Sequence, residues 1–283
     1  GWEDCNEALD AATIAFSAMR KLRGKDIAEF LETYANRIEL RANELVEVAN
    51  LETALPSAPR LAEVELPRTT GQLRLAAAAA RSSNWTHQVI ASAHHISSCY
   101  GPIGPGAVFG PNNFPFAFGS ASGGDFASAI AAGNPVIAKA NSSHPGTTQI
   151  FAECASSAAS ETGMPPAILQ LIYRTKHDIG ERLVSDPRIA ATGYTGSRNA
   201  GLALKRAADR AGKPIYLELS SVNPVIFLPE VLAERTEDLA TEFTTSCLMG
   251  TGQYCTNQGI VIEIEGSPAE TYLALVAKKY SEA

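Results

Sequence analysis

The sequence predicts an α/β fold in which a parallel β-sheet is covered by helices. Two observations support this prediction: the N-terminal part has the apolar period of helices, and from Gly101 onward short apolar segments alternate with helical segments rich in small residues. A strand needs a helical crossover to reach a parallel neighbour, so this alternation is typical of parallel sheets.

The N-terminal region is predicted to be helical. Its first fifty residues repeat apolar positions every three or four residues, as an amphipathic helix does. A Leu- and Ala-rich segment, 69–81, predicts one more helix. The polar segment 84–100 has weak signals and is expected to be irregular chain or an edge strand.

Five strands and four helices are expected after Gly101. The predicted strands are 107–109, 135–138, 168–173, 189–194 and 215–219, and the predicted helices are 121–132, 146–162, 178–185 and 199–211. Ligands of parallel sheets bind at the carboxyl ends of the strands. The polar residues expected at that edge are Asn113, Lys139, Thr195-Gly196-Ser197 and Glu218.

Each of these polar residues also has an ordinary structural explanation. Asparagine and glycine form turns, Ser197 is placed to cap the following helix, and a lysine such as Lys139 is commonly a solvated surface charge. Their coincidence at one predicted edge favours a binding site there.

Composition and charge favour a globular protein that binds a small molecule. Of the 283 residues, 45% are hydrophobic and 19% are charged, and the formal net charge is −7. Net negative charge without a Lys/Arg block argues against nucleic acid or an anionic membrane as the main partner. No apolar run is long enough to span a bilayer.

The cysteines indicate a reducing, cytoplasmic environment. There are five, an odd number without regular spacing, so a complete disulfide framework is impossible and no zinc site is predicted. The N-terminus also lacks the pattern of a secretory signal.

One cysteine lies in a sequence that suggests covalent catalysis. The pentapeptide Gly252-Gln253-Tyr254-Cys255-Thr256 places a thiol among small polar residues, after the strand that carries Glu218. A thiolate adds to an electrophilic carbonyl, and a carboxylate can take a proton from the thiol or from a later water. The alternative is a structural cysteine at a partly buried helix start.

Five motifs occur in a fixed order along the chain. They are Gly110-Pro-Asn-Asn-Phe-Pro115, Val136-Ile-Ala-Lys139 with Pro145, Tyr194-Thr-Gly-Ser197 with Gly201, Leu217-Glu-Leu219 with Asn223-Pro224, and Gly252-Gln-Tyr-Cys255. Together they resemble the aldehyde dehydrogenase superfamily, in its usual order and close to its usual spacing. The residues within these motifs are most similar to those of the branch that contains α-ketoglutaric semialdehyde dehydrogenases and NADP-dependent fatty aldehyde dehydrogenases.

The resemblance implies a two-domain organisation. Residues 1–224 would form a Rossmann-type coenzyme-binding domain with N-terminal helices and with helices on both sheet faces. Residues 225–283 would begin an α/β catalytic domain. Family enzymes continue well beyond this length, with a Glu-x-Phe-Gly-Pro motif that this sequence lacks. The sequence is therefore expected to be either a part of a longer, homo-oligomeric enzyme or a truncated gene product.

The resemblance also implies catalytic roles for oxidation of an aldehyde or semialdehyde. Cys255 would add to the aldehyde, Asn113 and the Cys255 backbone N–H would stabilise the oxyanion, and Glu218 would activate the water that hydrolyses the thioester. Leu217 and Leu219 are consistent with a desolvated site for Glu218. Two alternatives stay open: acyl transfer to coenzyme A, against which Glu218 counts, and a catalytically silent dinucleotide-binding or scaffolding protein.

A coenzyme site is implied although the sequence has no Gly-x-Gly-x-x-Gly fingerprint. The segment Thr195-Gly196-Ser197 opens a helix whose N-terminal amides would meet the pyrophosphate, and Lys139 would contact the adenosine ribose. The implied cofactor-binding residues are Phe114, Pro115, Lys139, Ser142, Gly196, Ser197 and Gly201.

Ser142 bears on the choice between NADP and NAD. Family members that prefer NAD often carry a glutamate three residues after the lysine, where its charge repels the 2′-phosphate of NADP. Ser142 is neutral and its hydroxyl can donate to a phosphate, so NADP is expected to be accepted and preferred. His144 is a further candidate for this contact, the alternative being a solvated loop histidine.

Overall fold

The computed structural model describes residues 1–283, which fold into two compact units, Gly1–Glu218 and Leu219–Ala283. The predicted domain boundary, after residue 224, lies slightly later in the chain. No helix combines the length and the apolar character that a membrane span requires.

Four helices form the N-terminal part of the first unit. They are α1 (Trp2–Met19), α2 (Gly24–Leu40), α3 (Ala42–Thr53) and α4 (Leu66–Ser82), with a short wide-turn helical segment at Ser57–Glu65 before α4. The predicted helical region is thus confirmed. The weakly patterned segment that follows forms a two-stranded antiparallel hairpin of β1 (Val89–Ala91) and β2 (Ile96–Ser98).

A five-stranded parallel sheet forms the centre of the first unit, as the alternation predicts. Its strands are β3 (Gly106–Phe109), β4 (Val136–Lys139), β5 (Leu169–Ile172), β6 (Ala191–Thr195) and β7 (Ile215–Glu218), in the spatial order β5-β4-β3-β6-β7. The crossover helices are α5 (Gly124–Ala131), α6 (Pro145–Thr162), α7 (His177–Ser185) and α8 (Arg198–Arg210).

Helices cover both faces of this sheet. Val108, Val136 and Ala138 belong to a core cluster with α2, α4, α5 and α6. Ala107 and Ile137, which alternate with them, belong to a second cluster with α1 and α7. Because successive side chains of a strand point to opposite faces, one short apolar strand contributes to both clusters.

The second unit has a smaller α/β core. Its elements are β8 (Pro224–Phe227), α9 (Pro229–Leu248), β9 (Ile260–Glu263) and α10 (Ser267–Ser281). The two strands pair in parallel, with Pro224 opposite Ile260. Leu232 and Ala240 of α9 pack with Ala269, Tyr272 and Val276 of α10.

A buried ion pair ties the start of α4 to the loop after β3. Glu65 is fully buried; its Oε1 accepts the backbone N–H groups of Phe116 and Ala117 at 2.8 and 3.0 Å, and its Oε2 bonds Arg60 at 2.6 Å. Arg60 also donates to the Asn113 carbonyl oxygen at 3.0 Å. Burial raises the pKa of Glu65, and Arg60 and the two amides offset only part of that effect.

Replacing Glu65 is expected to be strongly destabilising. Glu65→Ala leaves two buried amides without an acceptor and removes the carboxylate partner of Arg60, so we expect a loss of about 3–5 kcal/mol in the free energy of unfolding, measured by urea denaturation. The matched control is Glu32→Ala, which breaks the half-exposed Arg81–Glu32 pair and is expected to cost at most about 1 kcal/mol. Equal losses in the two variants would contradict this account of the buried pair.

Candidate active site

A cavity opens where the strand order of the first unit reverses. The chain passes from β3 to β4 and β5 on one side and then to β6 and β7 on the other, so the loops leaving β3 and β6 diverge. The cavity there has a volume of about 360 Å³ and is lined by Phe109–Asn112, Lys139, Asn141, Ser143, Thr175–His177, Gly180, Glu181, Tyr194–Ser197, Ala200, Ala203 and Leu204. This volume is within the range of small-molecule sites.

Helix α8 begins at the wall of this cavity, where Ser197 and Ala200 are lining residues. Arg198, Asn199 and Ala200 begin the helix, where no preceding helical carbonyl can accept their N–H groups. Ser197 is the N-cap residue, but its side chain makes no capping hydrogen bond. Unpaired amides and the positive end of the helix dipole favour an anion at this place.

Gly196 and Gly201 have structural reasons to be glycine or small. A Cβ atom on Gly196 would lie 2.8 Å from the hydroxyl oxygen of Tyr194. That hydroxyl group is held in place because it donates a hydrogen bond to the Ser197 carbonyl oxygen. The Gly196 N–H donates to the Glu218 carbonyl oxygen at 3.0 Å, so it continues the β6–β7 pairing instead of facing a ligand. Gly201 is buried in α8 and does not line the cavity.

The N-terminus of α6, by contrast, is already occupied. Glu52 of α3 accepts the N–H groups of Gly146 and Thr147 at 2.8 Å each, and the Thr147 hydroxyl donates to the same carboxylate at 2.7 Å. A carboxylate at this helix end satisfies the first-turn amides and places negative charge there. The start of α6 is therefore not open to an anionic ligand.

The loop after β4 is held against the loop after β3. Asn141 Nδ2 donates to the Gly110 carbonyl oxygen at 3.0 Å, and His144 Nε2 lies 2.9 Å from the Pro111 carbonyl oxygen. His144 is only 1% exposed, so it is not the solvated loop histidine that the sequence analysis weighed as the alternative. Burial lowers the pKa of His144 and favours its neutral form. Ser142 is exposed in this loop between Asn141 and Ser143, which both line the cavity.

Lys139 brings a half-buried positive charge to the cavity wall. Burial lowers its pKa, and the charge of Arg174 lowers it further. An anion beside the ammonium group would offset both effects because it stabilises the charged form, so the site favours a negatively charged or strongly hydrogen-bonding ligand.

Asn113, Phe114 and Pro115 follow the cavity-lining residues Gly110–Asn112 but are not part of the lining. Pro115 is buried, and Asn113 and Phe114 are half-buried. The guanidinium carbon of Arg60 lies 4.3 Å from the centre of the Phe114 ring, and Phe114 and Phe118 pack edge to face. The backbone that carries Asn113 is thus fixed by Arg60 and Glu65.

Glu218 ends β7, the last strand of the sheet, and its side chain is exposed. The desolvated surroundings expected for it from Leu217 and Leu219 are therefore not present in this structure. The register pairs Thr195 with Glu218.

A further carboxyl group, to which the sequence analysis assigned no role, lies near Glu218. Asp125 of α5 sits over Gly193 of β6, where an added Cβ would be 2.6 Å from Asp125 Oδ2. Burial raises the pKa of Asp125, and the charge of Glu218 adds to this effect. The sequence signal was an acidic residue directly after Gly123-Gly124 at a helix start.

Cys255 belongs to the second unit, where it lies in a turn and not at a helix start. The turn runs from Tyr254 to Asn257 and is closed by a hydrogen bond from the Asn257 N–H to the Tyr254 carbonyl oxygen at 3.0 Å. The thiol forms no disulfide and is half-buried. Of the polar residues that the sequence places at the sheet edge, the cavity brings together Lys139 and the segment Thr195-Gly196-Ser197.

Comparison with known proteins gives consistent matches over the whole chain. The chain is 39% identical over 289 aligned positions to α-ketoglutaric semialdehyde dehydrogenase 2 of Azospirillum brasilense, covering 97% of this chain and 54% of that protein. It is 38% identical to α-ketoglutaric semialdehyde dehydrogenase of Acinetobacter baylyi, covering 94% of this chain and 52% of that protein. The chain thus spans about half the length of these relatives.

The fold also matches solved structures. One is a mutant of aldehyde dehydrogenase C from Pseudomonas syringae, in complex with NAD+ and octanal, with a TM-score of 0.83 and 21% identity over 99% of this chain and 55% of that one. The family model described as "Aldehyde dehydrogenase family" matches residues 1–282. The sequence motifs, the parallel-sheet fold and this match agree, and the chain belongs to the aldehyde dehydrogenase family.

Proposed function

We propose that this chain provides the coenzyme site and the nucleophile of an NAD(P)+-dependent dehydrogenase that oxidises an aldehyde to the carboxylate. The observation behind the proposal is the cavity at the strand-order reversal, with the open first turn of α8 and the half-buried Lys139, in a chain of this family. Because its relatives are named α-ketoglutaric semialdehyde dehydrogenases, the proposed substrate class is the semialdehyde of a keto acid.

The coenzyme site is proposed to hold a dinucleotide by its diphosphate and adenosine ribose. The amides of Arg198, Asn199 and Ala200 would donate to the diphosphate, with the Ser197 hydroxyl beside them. Lys139 would donate to the ribose hydroxyls from the end of β4. When bound, the nicotinamide accepts the hydride that the cysteine adduct loses.

The chemistry proposed for the protein residues runs through Cys255. Its thiolate adds to the aldehyde carbon, and the oxyanion that forms accepts hydrogen bonds from the Asn113 side-chain amide and the Cys255 N–H. Loss of hydride leaves a thioester on Cys255. Glu218 takes a proton from a water molecule while the water oxygen adds to the carbonyl carbon of the thioester. Collapse of this tetrahedral adduct breaks the C–S bond and releases the product acid, as its carboxylate, and the Cys255 thiolate.

Ser142 is proposed to allow the 2′-phosphate of NADP. It is exposed beside two cavity-lining residues, Asn141 and Ser143, and carries no charge that would repel a phosphate. Lys176 also lines the cavity and adds positive charge to it.

Cys255→Ala is expected to abolish aldehyde oxidation in the protein as its gene encodes it. Removal of a nucleophile costs about 10⁴-fold or more in kcat, measured by the formation of reduced coenzyme. The affinity for NADP should stay unchanged, because every cavity-lining residue lies in Gly1–Glu218. The control is Cys99→Ala, which removes an exposed thiol of the first unit. Continued turnover in the Cys255 variant would rule out the proposed nucleophile.

Glu218→Gln is expected to slow hydrolysis more than hydride transfer. The variant should form about one equivalent of reduced coenzyme per chain in a rapid first phase, followed by steady turnover that is about 10²–10⁴-fold slower, as expected for loss of a general base. Stopped-flow absorbance separates the two phases. The control is Glu29→Gln, an exposed carboxylate of α2. A slow first phase with no burst would be inconsistent with the role assigned to Glu218.

Ser142→Glu is expected to shift coenzyme preference from NADP toward NAD. A carboxylate at this exposed position repels the 2′-phosphate, and about 1.4 kcal/mol of repulsion changes the ratio of the two dissociation constants by about tenfold. Titration calorimetry with each coenzyme measures that ratio. Ser156→Glu, which adds the same charge to an exposed position of α6, is the control. An unchanged ratio would mean that the 2′-phosphate lies elsewhere.

A further inference from the structure

The side-chain amide of Asn223 bonds to the turn that carries Cys255. Its Nδ2 donates to the Cys255 carbonyl oxygen at 2.6 Å and to the Asn257 carbonyl oxygen at 2.9 Å. An asparagine NH₂ group has two hydrogens, so these two bonds use its full donor capacity. Both acceptors belong to the backbone on either side of Thr256.

The pairing of β8 with β9 accounts for this contact. Pro224 lies opposite Ile260, and directly before them the Gly259 N–H donates to the Val222 carbonyl oxygen at 2.6 Å. The chain entering β8 therefore lies beside the chain that leaves the Cys255 turn. A Cβ on Gly259 would lie 2.6 Å from that Val222 oxygen, so this approach of two backbones requires glycine.

The backbone of Asn223 is itself in a conformation suited to few residues. Its φ is +48°, in the left-handed region that asparagine and aspartate enter more readily than other residues with a side chain. Asparagine therefore suits this position in two ways: it adopts a positive φ readily, and its side-chain amide reaches both carbonyl oxygens.

The Cys255 turn depends on side-chain amides because it lies outside any helix or strand. Besides Asn223, the Asn257 side chain donates to the Cys247 and Gly252 carbonyl oxygens at 2.9 and 3.1 Å. Holding the Cys255 carbonyl fixes the peptide plane that follows Cys255, and the turn's closing bond fixes the chain on both sides. The thiol and the N–H of Cys255 take part in none of these bonds.

We propose that Asn223 is a positioning residue for Cys255: its two hydrogen bonds hold the thiol and the N–H of Cys255 in the orientation needed for addition to an aldehyde. This inference rests on the proposed function, in which Cys255 is the nucleophile. A displacement of about 1 Å in a reacting group lowers the rate by about 10²-fold, so a turn that moves freely would be a poor nucleophile site.

The first experiment measures thiol protection and needs no catalytic activity. Asn223→Gly removes the donor, adds no charge and tolerates positive φ. Alkylation by iodoacetamide, followed by mass spectrometry, compares half-buried Cys255 with exposed Cys99 and buried Cys247 in the same chain. We expect Cys255 to react about tenfold faster relative to Cys99, since about 1.4 kcal/mol of hydrogen bonding is lost, while Cys247 stays protected.

The second experiment measures catalysis in the protein as its gene encodes it. Asn223→Asp keeps the shape and the backbone preference of asparagine, but an ionised carboxylate cannot donate to either carbonyl. We expect kcat to fall about 10²-fold with an unchanged affinity for NADP. The control, Asn50→Asp, removes an amide that donates to the Leu55 carbonyl oxygen in the first unit and should leave kcat unchanged.

Several results would overturn the positioning role. Unchanged Cys255 alkylation in Asn223→Gly would show that the two bonds do not hold the turn. Faster alkylation of both Cys255 and Cys247 would assign Asn223 to the stability of the whole unit. An unchanged kcat in Asn223→Asp would separate the contact from catalysis. If Cys255→Ala remained active, the proposed function would fail, while the alkylation result would still report on the contact itself.

Discussion

The pairing of β3 with a parallel strand on each side is the constraint on which the first unit depends. Phe109 is in register with Lys139 of β4 and with Tyr194 of β6, so three strand ends lie side by side at one edge. The crossover helices must then leave toward opposite sides of the sheet, and the space between their loops becomes the cavity. The position of the cavity is thus a consequence of strand order.

Side-chain bonds from distant parts of the chain fix the loops at this edge. Asn141 and His144 join the loop after β4 to the loop after β3, and Glu65 accepts two amides of the latter. Glu52 performs the same role for the start of α6. A buried polar group without a partner costs about 1–3 kcal/mol, so these bonds stabilise loops that contain no regular structure. A rigid edge needs less reorganisation when a ligand binds.

The sequence was sufficient for the fold of the first unit because its signals there are local. Apolar runs bounded by glycine and proline gave the five central strands, and helical periods gave the covering helices. The contacts that decide the surroundings of single residues are not local. Glu52 and Gly146 are 94 residues apart, and Asn223 and Cys255 are 32 apart. The burial of His144 and the exposure of Glu218 do not follow from neighbouring residues either; His144, for example, contacts the Pro111 carbonyl oxygen of a loop 33 residues earlier.

The residue after Asn223 adds a chemical consequence to the contact with the Cys255 turn. Asparagine side chains deamidate spontaneously when the backbone nitrogen of the next residue attacks the side-chain amide carbonyl, expels ammonia and closes a cyclic imide. The next residue here is Pro224, whose nitrogen carries no hydrogen and is already bonded to three carbons, so this ring closure is blocked. Pro224 therefore blocks this route by which the Asn223 amide would be converted to a carboxylate. The turn that carries Cys255 thereby keeps the amide group that donates to its carbonyl oxygen.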